Sequence, residues 1–414
     1  MELIKNVDFN IDKEEIAKMD SAVRSFVSLL EEGLKKRKVK ADVFIGGSFA
    51  KKTMIKGESY DIDFFVRFIE DGEISDLLES VLKEIKSKYL RVHGSRDYFQ
   101  IKPDDKVTFE VIPILKIKTP KEAKNVTDLS YFHVNYVKKN ISEQIAREIR
   151  IAKQFLKAQG IYGAESYIGG ISGYGVECLI IYYKTFEKMA KAIVKASGKI
   201  LIDPEKKHKG KDILLELNES KLESPIVLVD PTFKERNVLA ALRKETFDKL
   251  KTSLESLLRK PRDEMFEIKD LDVKKLETKT NKVKGELVKI RLFTDRQEGD
   301  IAGTKMKKFS DFIANEMIPY FEVISKNYVY KQDKEAELYL VVKPKAEIIK
   351  KGPPLEMIEH AKAFRKEHKN TIMKAGILYA KIKGYKNAKE FLKFWTNKNK
   401  DKIKEMDIVK IEVN

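Results

Sequence analysis

Between residues 13 and 36, apolar side chains recur at Ile16, Met19, Val23, Phe26, Val27 and Leu30. That three- and four-residue spacing marks one helical face, so the chain is predicted to open on an amphipathic helix. Short runs rich in Val, Ile and Phe follow at 43–45 and 62–68 and read as strands on either side of a glycine-containing turn region. A helix is predicted over 74–86, then a hairpin pairing 98–101 with 107–115 through Lys102-Pro103-Asp104-Asp105. Asn140, with Glu143, makes a capping-box-like start to a helix carrying Ile141, Ile145, Ile149, Ala152 and Leu156 and stopping at Gly160. Helical patterning then continues to about Leu258.

The stretch from Arg259 to Lys284 is highly charged, with Pro261 near its start, and reads as the linker-like edge of a last region. There the pattern predicts a strand at 287–293, a helix at 305–317, strands at 321–329 and 337–344, and helices at 357–367 and 388–395. The first four make a β-α-β-β unit. The expected fold class is α+β and multidomain: a mixed head over 1–139, a helical middle domain over 140–258, and a basic α/β region over 259–414 that divides further. No internal repeat or low-complexity tract interrupts this order.

At 414 residues the chain has room for two to four domains of ~150 residues. Its 83 Lys and Arg against 65 Asp and Glu leave a formal charge of +18. Such a surplus attracts polyanions, nucleic acid first and an anionic membrane surface second, although solubility charge or a lysine-rich proteome gives the same count. A lone cysteine, Cys178, excludes an internal disulfide and a thiolate zinc site. The charged start MELIKNVDFN lacks a secretory apolar core, and no apolar run is long enough to span a bilayer. A cytoplasmic, non-membrane protein is expected.

Chemistry concentrates at Gly46-Gly47-Ser48 and, after twelve residues, Asp61-Ile62-Asp63 followed by Phe64-Phe65-Val66. Residues two apart in a strand share a face, so Asp61 and Asp63 present paired carboxylates while Ile62 and Phe64 face the core. Hard oxygen ligands in that arrangement suit Mg²⁺, and glycines beside Ser48 let a phosphate approach the backbone. Glu110, flanked by Phe109, Val111 and Ile112, is placed on a second strand to complete a two-metal site. An Asp-x-Asp alone is a common solvated strand end; the combination is far more specific.

These residues resemble the DNA polymerase β nucleotidyltransferase superfamily, whose pattern is Gly-Ser, about a dozen residues, then Asp-x-Asp. Within it the archaeal (class I) CCA-adding tRNA nucleotidyltransferases are similar over roughly residues 20 to 250. Gly47-Ser48-Phe49-Ala50-Lys51-Lys52-Thr53 resembles their phosphate loop. Phe132-His133, the segment from Lys153 to Glu165, Gly170-x-Ser172-Gly173-Tyr174, and Val229-Asp230-Pro231 followed by Arg236-Asn237-Val238 also resemble that family. Two departures stand out: Glu110 occupies a place where the family usually has Asp, and Asp128-Leu129-Ser130-Tyr131 differs from its Asp-Arg-Thr-Pro.

The resemblance implies a polymerase β-like head and template-independent addition of CCA to tRNA from CTP and ATP, with release of pyrophosphate. It implies that Asp61, Asp63 and Glu110 hold two Mg²⁺ ions, although Glu110 is open to a role as base. It further implies that Gly47, Ser48, His133, Lys153, Tyr162 and Arg236 bind the nucleotide, Lys153 and Tyr162 at the triphosphate and Arg236 at the base. Read without it, Lys153 snorkels or meets an anion, Tyr162 is core, His133 is a satisfied structural residue and Arg236 forms a surface ion pair. The rival functions are a poly(A) polymerase, a 2′-5′ oligoadenylate synthase, or a noncatalytic RNA-binding protein on this scaffold; a homodimer is left open. Phe391, Phe394 and Trp395, interleaved with lysines, read as one amphipathic helix before an RNA-stacking surface.

Overall fold

The computed structural model describes residues 9–414 apart from Gln332, Glu347, Lys369 and Lys383, so most of the charged start used above lies outside the described residues. The chain forms two compact units, 1–268 and 269–414. In the first, α1 (Lys13–Lys36) buries Met19, Val23, Phe26 and Leu30, as the spacing predicts, and Leu34 besides, whereas Ile16 of the same stripe is exposed. Acidic residues in its first turn and lysines in its last oppose the helix dipole.

Five strands, β1 (Ala41–Ile45), β2 (Tyr60–Phe68), β3 (Leu90–Val92), β4 (Tyr98–Ile101) and β5 (Val107–Leu115), assemble in the order β1-β2-β5-β4-β3. The central pair β2 and β5 is parallel, while the predicted hairpin of β4 and β5 is antiparallel. Apolar residues on one face of this sheet meet α1, where Phe26 packs at 5.0 Å on both Phe64 and Phe109. A short helical turn, α2 (Gly47–Ala50), and α3 (Ile74–Glu84) complete the head.

Two helices follow where one was expected: α4 (Ser130–Asn140) and α5 (Glu143–Ala158). Ser142, not Asn140, caps α5, its hydroxyl accepting from the Ile145 N–H at 3.2 Å; Asn140 closes α4, its amide donating to the Tyr136 carbonyl at 2.9 Å. The reason is local, since Ile141 between them is extended. Next come α6 (Gly173–Tyr183), capped by the Ser172 hydroxyl, α7 (Phe186–Lys195), and the parallel pair β6 (Ile200–Ile202) and β7 (Ile226–Leu228). A long helix at Lys244–Arg259 ends the helical part. The charged stretch beyond it stays with this unit: Phe266 is fully buried 5.4 Å from Phe155, and Gln154 and Gln159 donate to the carbonyls of Phe266 and Met265.

The second unit contains the predicted β-α-β-β pattern as β8 (Glu286–Phe293), a helix at Asp300–Met317, β9 (Phe321–Tyr330) and β10 (Glu335–Pro344). A helix at Val273–Val283 precedes it, inside the stretch read as linker-like. A separate sheet of β11 (Ile348–Pro354), β12 (Thr371–Lys374) and β13 (Ile377–Ile382), ordered β11-β13-β12, was not predicted. The carboxy-terminal β14 (Lys410–Val413) pairs with β8 and makes the first sheet four-stranded, β14-β8-β10-β9. Phe391 and Trp395 lie in its core, the indole N–H donating to Glu316 at 2.8 Å, whereas Phe394 is exposed. Their helix is therefore amphipathic and packed. No helix among the described residues is long and apolar enough to cross a membrane.

Candidate active site

Parallel pairing of β2 with β5 sets Asp63 opposite Glu110 and Asp61 opposite Thr108. Ile62 and Phe64 are completely buried, so the alternation of the strand sends both aspartates to the other face of the sheet. Crowding there has an electrostatic signature. Burial, the neighbouring Asp61 and Glu177 push Asp63 up to about 6, although Lys51 pulls it down. Burial and both aspartates push Glu110 up to about 7. Asp61 is raised by burial and partly offset by Lys157. Tyr98, on the adjoining β4, is pushed up to about 12 by burial and the same three carboxylates.

The Gly46-Gly47-Ser48 turn sits directly against this face. The Gly46 N–H donates to the Asp63 carbonyl at 2.9 Å, and Gly47 has φ +61° with its missing Cβ replaced by the Asp63 carboxylate. Any other residue at 47 would overlap that carboxylate, which explains the glycine better than backbone freedom alone. The turn continues through the Ser48 carbonyl, which accepts from the Thr53 N–H at 3.0 Å.

Three hard oxygen donors on adjacent strands are the donor set a divalent cation prefers; burial raises all three pKa values, and neighbouring carboxylates add to it at Asp63 and Glu110, a cost that a cation would relieve. Asp61, Asp63 and Glu110 therefore fit such an ion in the chemistry of their donors. Glu110 meanwhile accepts from the Gln100 amide at 3.0 Å, and among the described residues no three His, Cys, Asp or Glu side chains already converge on one metal position.

Below the turn lies a buried ionic cluster. Glu177, completely buried on α6, accepts from Lys51 at 2.6 Å, from Lys153 at 2.9 Å and from the Thr53 hydroxyl at 2.6 Å. Lys153 also donates to Thr53 Oγ1 at 2.9 Å and to its carbonyl at 3.2 Å. Glu177 is held down at about 2, the two lysines outweighing its burial. The anion that Lys153 meets is thus internal. Tyr162 and Lys153 both abut Gly173 at the start of α6: a Cβ there would lie 2.7 Å from the Tyr162 hydroxyl and 3.9 Å from the Lys153 ammonium. Lys157, one turn further along α5, places its ammonium 5.5 Å from the Tyr162 ring centroid and interacts with Asp61.

A second buried carboxylate, Asp230, gathers the remaining candidates. His133 Nε2 lies 3.0 Å from its Oδ2 and Arg236 Nη1 donates to the same oxygen at 2.7 Å. Tyr174, stacked on His133 at 4.1 Å, donates to Oδ1 at 3.2 Å. Desolvation lowers the His133 pKa despite Asp230, leaving a neutral ring near pH 7.

Gly47, Ser48, Asp61, Asp63 and Glu110 are therefore gathered at one end of the sheet. Lys153 and Tyr162 meet at the start of α6, and His133 and Arg236 share one anchor. Sequence reasoning missed Glu177, Asp230 as a hub, Gln100, Tyr98 and Lys157. Glu177 did leave a signal: a carboxylate inside the apolar run 176–183 has to find buried cations.

Residues 27–146 match the nucleotidyltransferase domain family, and residues 147–267 match the family described as tRNA nucleotidyltransferase, second domain. The chain is 42% identical over 239 residues to a CCA-adding enzyme of Nanoarchaeum equitans, covering 57% of this chain and 59% of that one. It is 32% identical over 227 residues to a CCA-adding enzyme of Sulfurisphaera tokodaii, covering 54% and 52%. The chain thus spans between half and three fifths of these two relatives. With a CCA-adding enzyme of Saccharolobus islandicus it shares 30% identity over 300 residues, covering 71% of this chain and 68% of the relative. On this match, and on the two domain families found in order along it, the chain belongs to the CCA-adding family of tRNA nucleotidyltransferases.

Proposed function

We propose that the protein adds CMP and AMP, drawn from CTP and ATP, to the 3′ end of tRNA until CCA is complete. The observation that carries this reading is the opposition of Asp63 and Glu110 beneath the Gly47-Ser48 turn in a chain of this family. The terminal ribose oxygen attacks the α-phosphorus, the bond to the β-phosphate breaks, and pyrophosphate leaves. Two Mg²⁺ ions held by Asp61, Asp63 and Glu110 would supply charge neutralisation and acidify the attacking hydroxyl. Gly47 and Ser48 present backbone and hydroxyl to the phosphates, and Tyr162 and Lys153, which meet at Gly173, serve the triphosphate side, Lys153 through the buried Glu177 cluster. His133 lines the pocket, and Arg236 reads acceptors on cytosine or adenine, rejecting bases that present N–H there.

The +18 charge suits a folded RNA recognised by shape over a long surface. The reading places the protein in the cytoplasm, with tRNA as its macromolecular partner and no membrane; a homodimer is decided by its mass in solution. The test is single-nucleotide extension of four tRNAs with Mg²⁺ and each nucleotide alone. A tRNA ending at its discriminator base, or one nucleotide beyond, should take C; one ending in CC should take A; a complete CCA end should take almost nothing. Long oligo(A) products would favour a poly(A) polymerase, 2′-5′ linkages an oligoadenylate synthase, and no incorporation a binding protein.

A further inference from the structure

Asp230 has no exposed surface, yet it accepts five hydrogen bonds, and the two oxygens divide them by purpose. Oδ1 takes the Thr232 N–H at 2.8 Å, the Thr232 hydroxyl at 2.7 Å and the Tyr174 hydroxyl at 3.2 Å, tying the 230–236 loop to α6. Among the described residues Oδ2 takes only His133 and Arg236. The loop closes on itself, the Asp230 N–H donating to the Arg236 carbonyl at 2.9 Å and the Arg236 N–H to the Phe233 carbonyl at 3.0 Å, so Arg236 returns over the carboxylate. About a quarter of the Arg236 side chain remains exposed, and His133 is nearly enclosed.

We propose that Asp230 is the positioning residue of nucleotide selection, one carboxylate oxygen fixing the direction of Arg236 and the tautomer of His133 together. This rests on the functional reading above. An ionised carboxylate only accepts, so His133 must carry its proton on Nε2 and present Nδ1 as an acceptor. Arg236 spends one end of its fork on the same oxygen and keeps its other donors for a ligand. The two readers are therefore coupled through Oδ2.

Asn at 230 preserves volume and reverses this logic. If its amide faces Oδ2's partners, Arg236 meets another donor, and His133 is satisfied only by moving its proton to Nδ1. If it faces the other way, the Thr232 N–H loses its acceptor.

The test is extension of the full-length protein's tRNA substrate with CTP, UTP, ATP and GTP, read as ratios of kcat/KM, for wild type, Asp230→Asn and Thr232→Val. Asp230→Asn should lower discrimination between correct and wrong nucleotides by about tenfold or more, chiefly through nucleotide KM. Thr232→Val, which removes only an Oδ1 donor, should lower Tm and leave discrimination intact. Because Asp230→Asn is open to misfolding, a double-mutant cycle of His133→Asn and Arg236→Lys keeps Asp230 in place. Their effects on discrimination should be non-additive by about threefold or more. Unchanged discrimination in folded Asp230→Asn, equal blurring in Thr232→Val, or strictly additive effects in the cycle would each overturn the assignment. A wild type that adds no nucleotide to tRNA would overturn the functional reading, and this one with it.

Discussion

Lys51 and Lys153 converge on Glu177 from two different elements, the segment after the Gly47-Ser48 turn and helix α5, at 2.6 and 2.9 Å. Two ammoniums against one carboxylate leave the buried cluster with one surplus positive charge, close enough to lower the Asp63 pKa. One turn earlier on α6, Tyr174 reaches Asp230. A single helix thus ties the Lys51–Lys153 cluster and the Asp230 cluster together.

That cluster makes stability depend on pH in a predictable direction. Glu177 titrates at about 2 in the folded protein against an ordinary 4.5, so its contribution is complete above 4.5 and is lost as pH falls toward 2. The span corresponds to on the order of 3 kcal/mol. Asp230, also lowered, adds to the same slope. Glu177→Gln should flatten stability between pH 4.5 and 3 and destabilise the protein at pH 7 by about 3 to 5 kcal/mol, the cost of breaking a buried pair. Urea unfolding at pH 7, 4.5 and 3 reads both; an unaltered acid slope would remove Glu177 as its source.

The paired aspartates should be indispensable to turnover and nearly irrelevant to RNA affinity. Asp61→Asn and Asp63→Asn keep volume and remove charge, so kcat should drop about a hundredfold or more while tRNA retention on filters stays within about twofold. Near-normal turnover in either variant would rule out the carboxylate site.

Much of this site is legible in the sequence, because Gly-Ser and Asp-x-Asp are local patterns whose strand period fixes which face each side chain takes. What escapes is partnership between distant segments. Glu177 lies 126 residues from Lys51 and Asp230 lies 97 from His133, so spacing along the chain says nothing of either pair. The elements missed have similar causes. Helix α4 lacks a strong apolar stripe, Ser142 competes with Asn140 as a cap within two residues, and β11 and β12 expose most of their length, so neither shows a buried period. Phe266 could not be assigned to the first unit from a charged context, since only its packing on Phe155 decides the matter.

Glu110 discriminates ligand from bystander. Glu110→Gln should reduce kcat about a hundredfold or more, and Glu110→Asp should retain measurable activity because a carboxylate still faces Asp63. Full activity in the Gln variant, assayed by single-nucleotide extension, would mean that another group completes the site.

RNA affinity should draw on the second unit. There Arg296, Lys400, Lys404 and Lys410 line a cavity of about 660 Å³ with two acidic residues, Asp295 and Asp407. Lys400→Ala with Lys404→Ala in the full chain should weaken tRNA binding and reduce the slope of log K against log salt by about 1 to 2, leaving nucleotide KM unchanged. An unaltered slope from 50 to 300 mM salt, over which the Debye length falls from about 14 Å to about 6 Å, would locate the phosphate contacts elsewhere.

Gly47 separates backbone strain from the chemistry beside it. Its φ of +61° costs an L-residue about 1 to 2 kcal/mol, and a Cβ there would also collide with the Asp63 carboxylate. Gly210 supplies the control, with φ +81° and nothing within 4 Å of its missing Cβ. Both Gly→Ala variants should therefore lose comparable stability from the backbone. Only Gly47→Ala has to displace Asp63 or the turn that holds Ser48, so only it should lose turnover, by about a hundredfold, a misplacement of roughly 1 Å being enough for that. The measurement is kcat beside Tm for the two variants. Equal activity in both would show that the turn need not pack against Asp63, and a Gly210→Ala enzyme as impaired as Gly47→Ala would assign the loss to strain rather than to the carboxylate.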